Sequence, residues 1–202
     1  MTSQDADLTL TSRGRLLTAG KTLFSLNGYE ATSTAAIARE AGSSESQLIR
    51  YFGGKAGLLE AIFNESWNPL NETIEQHIKA AEHGRDAILR ILSLVIDAFS
   101  LDHDIAFLFL FEGRRMRGTT HEIVISKGFQ NFWELLGTLI RRGQEDGSFR
   151  KDVDPMVLGS AMLGAAEGMI RDRILAERTG GRNPFDDAAI KATFATMVNA
   201  LT

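Results

Sequence analysis

The chain of 202 residues contains no cysteine and only three prolines. The absence of cysteine excludes disulfides, thiolate catalysis and zinc sites with cysteine ligands. Scarce proline, together with frequent alanine, leucine and glutamate, favours a helical chain. A hydrophobic fraction of 44% and a charged fraction of 24% are typical of a folded globular protein rather than a disordered one.

Long hydrophobic segments are also lacking. The longest unbroken apolar run, residues 105–111, is far shorter than the roughly 18 residues that a membrane span requires. The first ten residues are polar and acidic, without the basic and apolar regions of a signal peptide. These observations predict a cytoplasmic protein with no membrane partner.

The motifs of common enzymes are missing. The chain has no GxSxG, HExxH, CxxC or Rossmann glycine motif, and none of its four histidines completes a Glu-x-x-His pair. Gly20-Lys21-Thr22 resembles the end of a phosphate-binding loop, but Arg15 stands where that motif requires its first glycine. We therefore predict that the protein is not an enzyme and has no catalytic residues, metal site or cofactor.

The charge is distributed unevenly along the chain. The overall net charge of −4 opposes non-specific binding to nucleic acid. Residues 13–59, however, carry a net charge of +3, so that the remainder carries −7. A mildly basic segment of an acidic protein can still present a local phosphate-binding face.

Apolar residues recur at helical spacing along most of the chain, which predicts an all-α fold. After a first helix that contains residues 16–24, breaks at glycine and serine predict further helices at 34–41, 45–52, 55–83 (with a bend at Pro69), 86–101, 103–117, 120–145, 155–178 and 185–201. The phenylalanine-rich segment 105–111 also has the composition of a strand. We predict a buried helix there because both flanks are helical.

Residues 33–52 have the pattern of a helix, a tight turn at Gly42 and a second helix. The positions expected to face inward are apolar or small: Ile37, Ala38, Ala41, Leu48 and Phe52. The opposite edge of the second helix then carries Ser46 and Arg50. Such an edge is what a recognition helix offers to the major groove of DNA, which is wide enough to admit a helix.

A longer pattern, over residues 11–69, resembles the N-terminal DNA-binding domain of the TetR (tetracycline-repressor-like) family. The matching residues are Leu23-Phe24, Gly28-Tyr29, Thr32-Ser33, Ile37-Ala38, Ala41-Gly42, Ser44, Leu48, Tyr51-Phe52, Lys55 and Leu58-Leu59. Residues 142–149 and 152–155 also resemble the family's junction before its penultimate helix. The resemblance is close in the first third of the chain and loose after it.

The resemblance implies a ligand-responsive transcriptional regulator, and more narrowly a repressor. It would bind a palindromic operator as a homodimer and be released by a small apolar or aromatic effector. A three-helix DNA-binding domain (residues 9–69) would precede a helical effector-binding and dimerisation domain (residues 70–202). The alternative is a helical small-molecule-binding or catalytic protein with a vestigial helix-turn-helix, which would bind DNA only weakly and without selectivity.

The resemblance also assigns residues to the DNA interface. The candidates for phosphate contacts are Ser33, Ser44, Tyr51 and Lys55. The candidates for base contacts are Ala35, Glu45, Ser46, Gln47 and Arg50, and Thr34 and Ile49 complete the set. Glutamine can bind adenine, and arginine can bind guanine, through two hydrogen bonds each.

Departures from the family and ordinary structural roles leave alternatives open. Ile49 stands where the family often has a phosphate-contacting tyrosine, so that it can instead meet a thymine methyl group. Gln47 can bond to the backbone N–H of Ser44 in a capping box, and Glu45 can serve the helix dipole. Arg50 and Lys55 can also be plain solvated charges.

Aromatic residues are concentrated in the middle helices, where they form either a core or, by the resemblance, the wall of an effector cavity. The candidates for effector binding are Phe63, Trp67, Phe99, His103, Phe107, Phe111, Glu112, Phe129, Trp133, Met162 and Glu167. Further polar groups that could orient a ligand are Arg115, His121 and Asn131. Glu112 can instead pair with Arg115, and Glu167 with Arg171.

Small residues in the segment 155–178 would let a second helix approach closely: Gly159, Ala161, Gly164, Ala165, Ala166 and Gly168. Together with the last helix, this segment is predicted to form half of a four-helix bundle across a two-fold axis. The same symmetry would present two recognition helices to a palindromic site.

Overall fold

The structure is a computed structural model that describes residues 11–113, 125–180 and 182–201, together with the backbone of residues 116–117 and 122–123. Its α-helices are α1 Ser12–Asn27, α2 Thr34–Glu40, α3 Glu45–Phe52, α4 Lys55–Ile78, α5 Gly84–Leu101, α6 His103–Phe107, α7 Lys127–Glu145, α8 Pro155–Thr179 and α9 Asp187–Asn199. A π-helical turn, Leu108–Glu112, follows α6 directly. The predicted all-α fold class is confirmed.

The predicted helices 103–117 and 120–145 are wrong at the end of the first and at the start of the second. Strand β1 (Met116–Arg117) pairs antiparallel with strand β2 (Glu122–Ile123), and α7 begins only at Lys127. The sequence offers a physical reason: Gly113 follows the π-helical turn, and a β-branched run, residues 123–125, precedes α7. Such residues lose side-chain freedom in a helix and suit an extended backbone.

The described residues divide into two compact units. The first comprises residues 1–66 and 104–126, and the second comprises residues 67–103 and 127–202. One boundary therefore falls inside α4. The predicted functional division at residues 69 and 70 stays a prediction.

The first unit contains α1, α2 and α3, whose apolar faces pack together. The side chains of Leu16, Phe24, Ile37, Leu48 and Leu58 are fully buried. Threonine or serine hydroxyls cap the starts of all three helices: Thr11 accepts from Gly14 N, Ser33 from Ala36 N, and Ser44 from Gln47 N. Each cap satisfies a backbone donor that would otherwise lack a partner.

The second unit packs α5, α7, α8 and α9 around an isoleucine-rich core that includes Ile74, Ile96, Ile140, Ile170 and Ile190. Helices α5 and α7 approach closely at Gly84. A Cβ atom added there would lie 2.6 Å from the Leu139 carbonyl oxygen and nearer still to the backbone of Gly143. Within the described parts of both units, no helix is long and apolar enough to cross a membrane.

Candidate nucleic-acid interface and effector region

Helices α2 and α3 form a helix-turn-helix. The turn between them passes through Gly42, whose φ of 55° lies in the left-handed region that glycine adopts without strain. The side chain of Leu48 is fully buried, with a relative accessibility of 0%, and anchors α3 to the first unit. Arg13 lies over the ring of the half-buried Phe52, with 5.3 Å between the guanidinium carbon and the ring centroid.

The opposite edge of α3 is open, as its sequence pattern predicts. Glu45, Ser46 and Arg50 are exposed, and Ile49 keeps 57% of its surface accessible. Tyr51 is also exposed. Helix α3 therefore presents a short exposed face, and a helix exposed in this way can enter a major groove of DNA.

Local hydrogen bonds hold the polar groups of this edge in place. Thr34 Oγ1 donates to Glu45 Oε2 at 2.5 Å, and thereby links the first turn of α2 to the first turn of α3. Ser44 and Ser46 share a hydroxyl hydrogen bond of 2.9 Å. These two hydrogen bonds restrict the side chains of Glu45 and Ser46 in the absence of DNA.

Gln47 and Arg50 also have partners within the chain. Ser43 Oγ donates to Gln47 Oε1 at 3.0 Å, so that the amide oxygen has a different partner from the Ser44 N–H of a capping box. Arg50 Nη2 donates to the Tyr51 hydroxyl at 2.9 Å, and its guanidinium carbon lies 4.8 Å from the Tyr51 ring centroid. A stacked guanidinium keeps donors on its edge for a second partner.

The remaining interface candidates surround this edge. Ser33 and Ala35 are exposed at the start of α2, and Ser44 is exposed at the start of α3. Lys55, the first residue of α4, differs from them because it is half-buried and its ammonium donates to Tyr29 O at 3.0 Å. The fold thus brings all the predicted DNA-binding residues into the first unit.

Part of the predicted effector set also lies in the first unit. Phe63 is buried and packs on Phe109, with ring centroids 5.3 Å apart. The half-buried rings of Phe107 and Phe111 stack 4.7 Å apart. Glu112, the residue after Phe111, is also buried. Arg115 and His121 lie outside the described residues.

The other effector candidates lie in the second unit. The ring of Trp67 packs against those of Phe129 and Phe132 at 5.7 and 5.0 Å. The residues that are buried here are Trp67, Phe99 and Met162, and those that are half-buried are Phe129, Trp133 and Glu167. His103 is exposed, with Nδ1 3.3 Å from Glu177 Oε2. The candidates are therefore divided between the two units.

The sequence analysis missed a buried charged network in the second unit. Arg173 is only 4% exposed, and its Nη1 bonds to Ser100 Oγ at 3.0 Å and to the Asp187 carboxylate. These residues join α5, α8 and α9 at an open cleft of about 490 Å³. The sequence did contain a signal for this network, because Arg173 is a cation among the apolar residues of one face of α8. Across the part of the chain that is described, no group of three or more metal-binding side chains occurs.

Comparison with known families agrees with this architecture. The model of bacterial regulatory proteins of the tetR family matches residues 16–62, and the model of the C-terminal region of YsiA-like proteins matches residues 63–179. The first match covers the helix-turn-helix and the start of α4. The second covers more than half of the chain.

Relatives with established names are similar over most of their length. The fatty acid metabolism regulator protein of Bacillus subtilis (strain 168) is 23% identical over 145 residues, 70% of this chain and 72% of the relative. The HTH-type transcriptional repressor KstR2 of Rhodococcus jostii (strain RHA1) is 26% identical over 157 residues, 76% of this chain and 77% of the relative.

A solved structure has the same fold. The transcriptional regulator FadR from Bacillus subtilis, in complex with stearoyl-CoA, superposes with a TM-score of 0.80 at 17% identity, over 93% of this chain and 98% of that chain. The family matches confirm the prediction of a DNA-binding transcriptional regulator and not an enzyme. The chain belongs to the tetR family of bacterial regulatory proteins, with the C-terminal region of the YsiA-like type.

Proposed function

We propose that this regulator is a homodimeric repressor that binds a palindromic operator and is released by a long-chain acyl-CoA. The observation that carries the DNA-binding part is the open edge of α3, which is anchored by the buried Leu48 on its other side. The name of the Rhodococcus relative, a transcriptional repressor, supports repression rather than activation.

At the operator, the hydroxyls of Ser33 and Ser44 lie at helix starts, where hydroxyls and backbone N–H groups suit phosphate oxygens. Tyr51 supplies a third hydroxyl. Arg50 is the main candidate for a base contact, because an exposed guanidinium can bind guanine O6 and N7 together. Glu45 suits a cytosine amino group, since its carboxylate only accepts hydrogen bonds. The shorter Ala35, Ser46 and Ile49 would fill the groove beside these side chains.

A two-fold dimer is supported by the face of α8 that its own chain leaves open. Val157, Gly164 and Leu175 lie along one line of this helix, and Val157 keeps 62% of its surface accessible. A Cβ atom at Gly164 would meet nothing within 4 Å, so that packing within the chain does not require glycine there. A partner helix that approaches closely would require it.

The acyl-CoA assignment follows the relatives and the aromatic side chains. The Bacillus subtilis relative is named for fatty acid metabolism, and the FadR structure contains stearoyl-CoA. The half-buried, stacked rings of Phe107 and Phe111 offer apolar surface to an acyl chain. Residues 70–202 would carry most of this binding and the dimer interface.

Release would be a shift between two dimer geometries. An effector that binds one geometry more tightly shifts the population toward it, and differential affinity is the only source of that shift. Helix α4 contributes residues to both compact units, which makes it the best candidate to link effector and DNA sites.

Selection of operators from random duplexes, followed by fluorescence anisotropy, tests the proposal. We expect salt-dependent binding to an inverted repeat, and we expect Arg50→Ala to lose about 1–3 kcal/mol of discrimination at one base pair of each half-site. Arg90→Ala, an exposed arginine of α5, is the matched control. Weak binding without sequence preference would instead support a vestigial helix-turn-helix.

A further inference from the structure

Ile49 is an apolar residue in the middle of a polar, exposed face of α3. It keeps 57% of its surface accessible, whereas the preceding residue, Leu48, is fully buried. Its neighbours on the exposed side are Glu45, Ser46 and Arg50. An isoleucine at an exposed helical position adds little to the core and forms helix less readily than alanine or glutamate. The stability of the fold therefore does not account for this side chain.

The charged ends of the neighbouring side chains are held against other residues. Glu45 Oε2 accepts from Thr34 Oγ1 at 2.5 Å, and the guanidinium carbon of Arg50 lies 4.8 Å from the Tyr51 ring centroid. A β-branched side chain in a helix has one strongly preferred χ1 rotamer, so that Ile49 is restricted by its own chemistry. It therefore presents a defined apolar surface and loses little conformational freedom when that surface is covered.

Helical geometry places this apolar surface beside the polar groups that are proposed to contact bases. Residues three and four positions apart lie on the same side of a helix, so that Ile49 shares its side with Ser46 and Glu45. Since successive residues are about 100° apart around the axis, Ile49 lies between the buried Leu48 and the exposed Arg50. When α3 lies in a major groove with Ser46 and Arg50 toward the bases, Ile49 also reaches the base edges.

The base edges offer one favourable partner to an isoleucine side chain. Every base pair presents hydrogen-bond donors or acceptors in the major groove, and thymine alone adds an apolar group, its C5-methyl. Isoleucine has no donor or acceptor, so that covering a polar edge or a phosphate would remove water without replacing its hydrogen bonds. Covering a methyl group instead removes apolar surface of both partners from water.

We infer that Ile49 is a specificity-determining residue that recognises the C5-methyl group of a thymine in each half-site of the operator. The recognition is an apolar contact and uses no hydrogen bond. It distinguishes thymine from cytosine, which carries only hydrogen at C5, while Arg50 and Glu45 contact the polar edges of neighbouring base pairs. This inference rests on the proposed operator binding.

The first test removes the methyl group from the DNA. Each thymine in one half-site of the selected operator is replaced in turn by uracil, which keeps the base pairing and lacks only the methyl group. We expect one position at which uracil weakens binding of the unsubstituted protein by about fourfold, the transfer energy of one buried methyl or methylene group. Fluorescence anisotropy measures the affinities. A half-site in which no thymine responds to this replacement would overturn the inference.

The second test removes the partner of the methyl group from the protein. In Ile49→Ala, replacement of the responsive thymine by uracil should change the affinity by less than about twofold, because the two changes remove the same contact. Leu101→Ala truncates an apolar residue of α5 that is 88% exposed, and this control should keep the fourfold response. A full response in Ile49→Ala would show that another side chain contacts the methyl group, and the inference would be wrong.

The third test separates the methyl group from the polar edge of thymine. Cytosine or 5-methylcytosine, each paired with guanine, replaces the responsive thymine in one half-site. The unsubstituted protein should bind the methylated duplex about fourfold more tightly, and Ile49→Ala should bind both duplexes equally. Equal binding by the unsubstituted protein would contradict recognition of the methyl group. Should the unsubstituted protein fail to bind any operator, the proposed function fails first, which distinguishes that result from a failure of this inference.

Discussion

The carboxylate of Asp146 stabilises the start of a helix that lies 62 residues earlier in the chain. Its Oδ2 accepts from Gly84 N at 2.8 Å, at the first residue of α5. Its Oδ1 accepts from Ser148 N at 2.9 Å, and His83 Nδ1 lies 3.9 Å away. Burial raises the pKa of Asp146, but the hydrogen bonds from Ser148 and Gly84 and the charge of His83 together hold it below its ordinary value.

We predict a pH-dependent stabilisation by this side chain. A lowered pKa in the folded state means that the contribution is complete above the unfolded value of about 3.9 and is lost as pH falls through the folded value. Asp146→Asn should therefore cost about 1 kcal/mol at pH 7. The difference from the unsubstituted protein should shrink below about pH 4.

Thermal unfolding from pH 7 to pH 3, followed by circular dichroism, measures this difference. Glu75→Gln removes an exposed carboxylate from α4 in the same unit and serves as the control. A difference that grows as pH falls would show that the charge of Asp146 destabilises the fold.

Single residues differ in how far their environment can be predicted. Leu48 was predicted to be buried because its helical spacing identifies one face of α3, and it is buried. The burial of Arg173 was not predicted, because a charged residue is expected at the protein surface. Its partners, Ser100 and Asp187, lie on other helices at separations of 73 and 14 residues, which no local pattern contains.

At the scale of whole elements, predictability follows the range of the interactions that define them. Helices α2 and α3 are determined by their own caps and by Gly42, all within the segment itself. Both were predicted to within one residue of their observed ends. The β1–β2 pair is also local, yet it was predicted, like the π-helical turn, as continuous helix, because the β-branched residues 123–125 were not weighed.

The close approach of α5 and α7 gives a prediction about elements. Gly84→Ala should destabilise the protein by about 2 kcal/mol or more, because the added methyl group meets backbone atoms that cannot move aside cheaply. Gly137→Ala is the matched change on α7. Its Cβ would lie 3.6 Å from Met156 Sδ, an ordinary contact, so this variant should be more stable by about 0.5–1 kcal/mol.

Urea unfolding of both alanine variants tests this contrast. Equal effects of the two substitutions would mean that the helices separate easily at Gly84. The close packing at that position would then not limit stability.

At the scale of the whole molecule, the proposed dimer gives a prediction that links assembly to operator affinity. Gly164→Arg places a long cation on the open face of α8 and should convert the dimer to a monomer. Loss of two-site binding should then weaken operator affinity by about a hundredfold or more. Gln76→Arg, on an exposed position of α4, adds the same charge away from that face and should change neither property.

Sedimentation equilibrium and anisotropy on the same samples measure assembly and DNA binding together. A Gly164→Arg protein that remains dimeric would place the interface elsewhere. A monomer that retains full operator affinity would contradict the need for two-fold symmetry.

The effector prediction concerns the coupling between effector and DNA sites. Stearoyl-CoA should dissociate the operator complex, whereas CoA alone lacks the acyl chain and should not. Phe111→Ala removes one of the two stacked rings in the first unit and should raise the stearoyl-CoA concentration for half-release by about tenfold, in line with the burial energy of an aromatic ring. Its operator affinity without effector should remain unchanged.

Phe185→Ala, a half-buried ring before α9, controls for the general loss of an aromatic side chain. Isothermal titration calorimetry separates weakened effector binding from weakened coupling, since reciprocal linkage requires operator DNA to lower the affinity for effector by the same factor. Release by free stearate as effective as release by stearoyl-CoA would mean that the nucleotide portion is not recognised. An operator complex that survives both compounds would exclude acyl chains as the signal while leaving DNA binding intact.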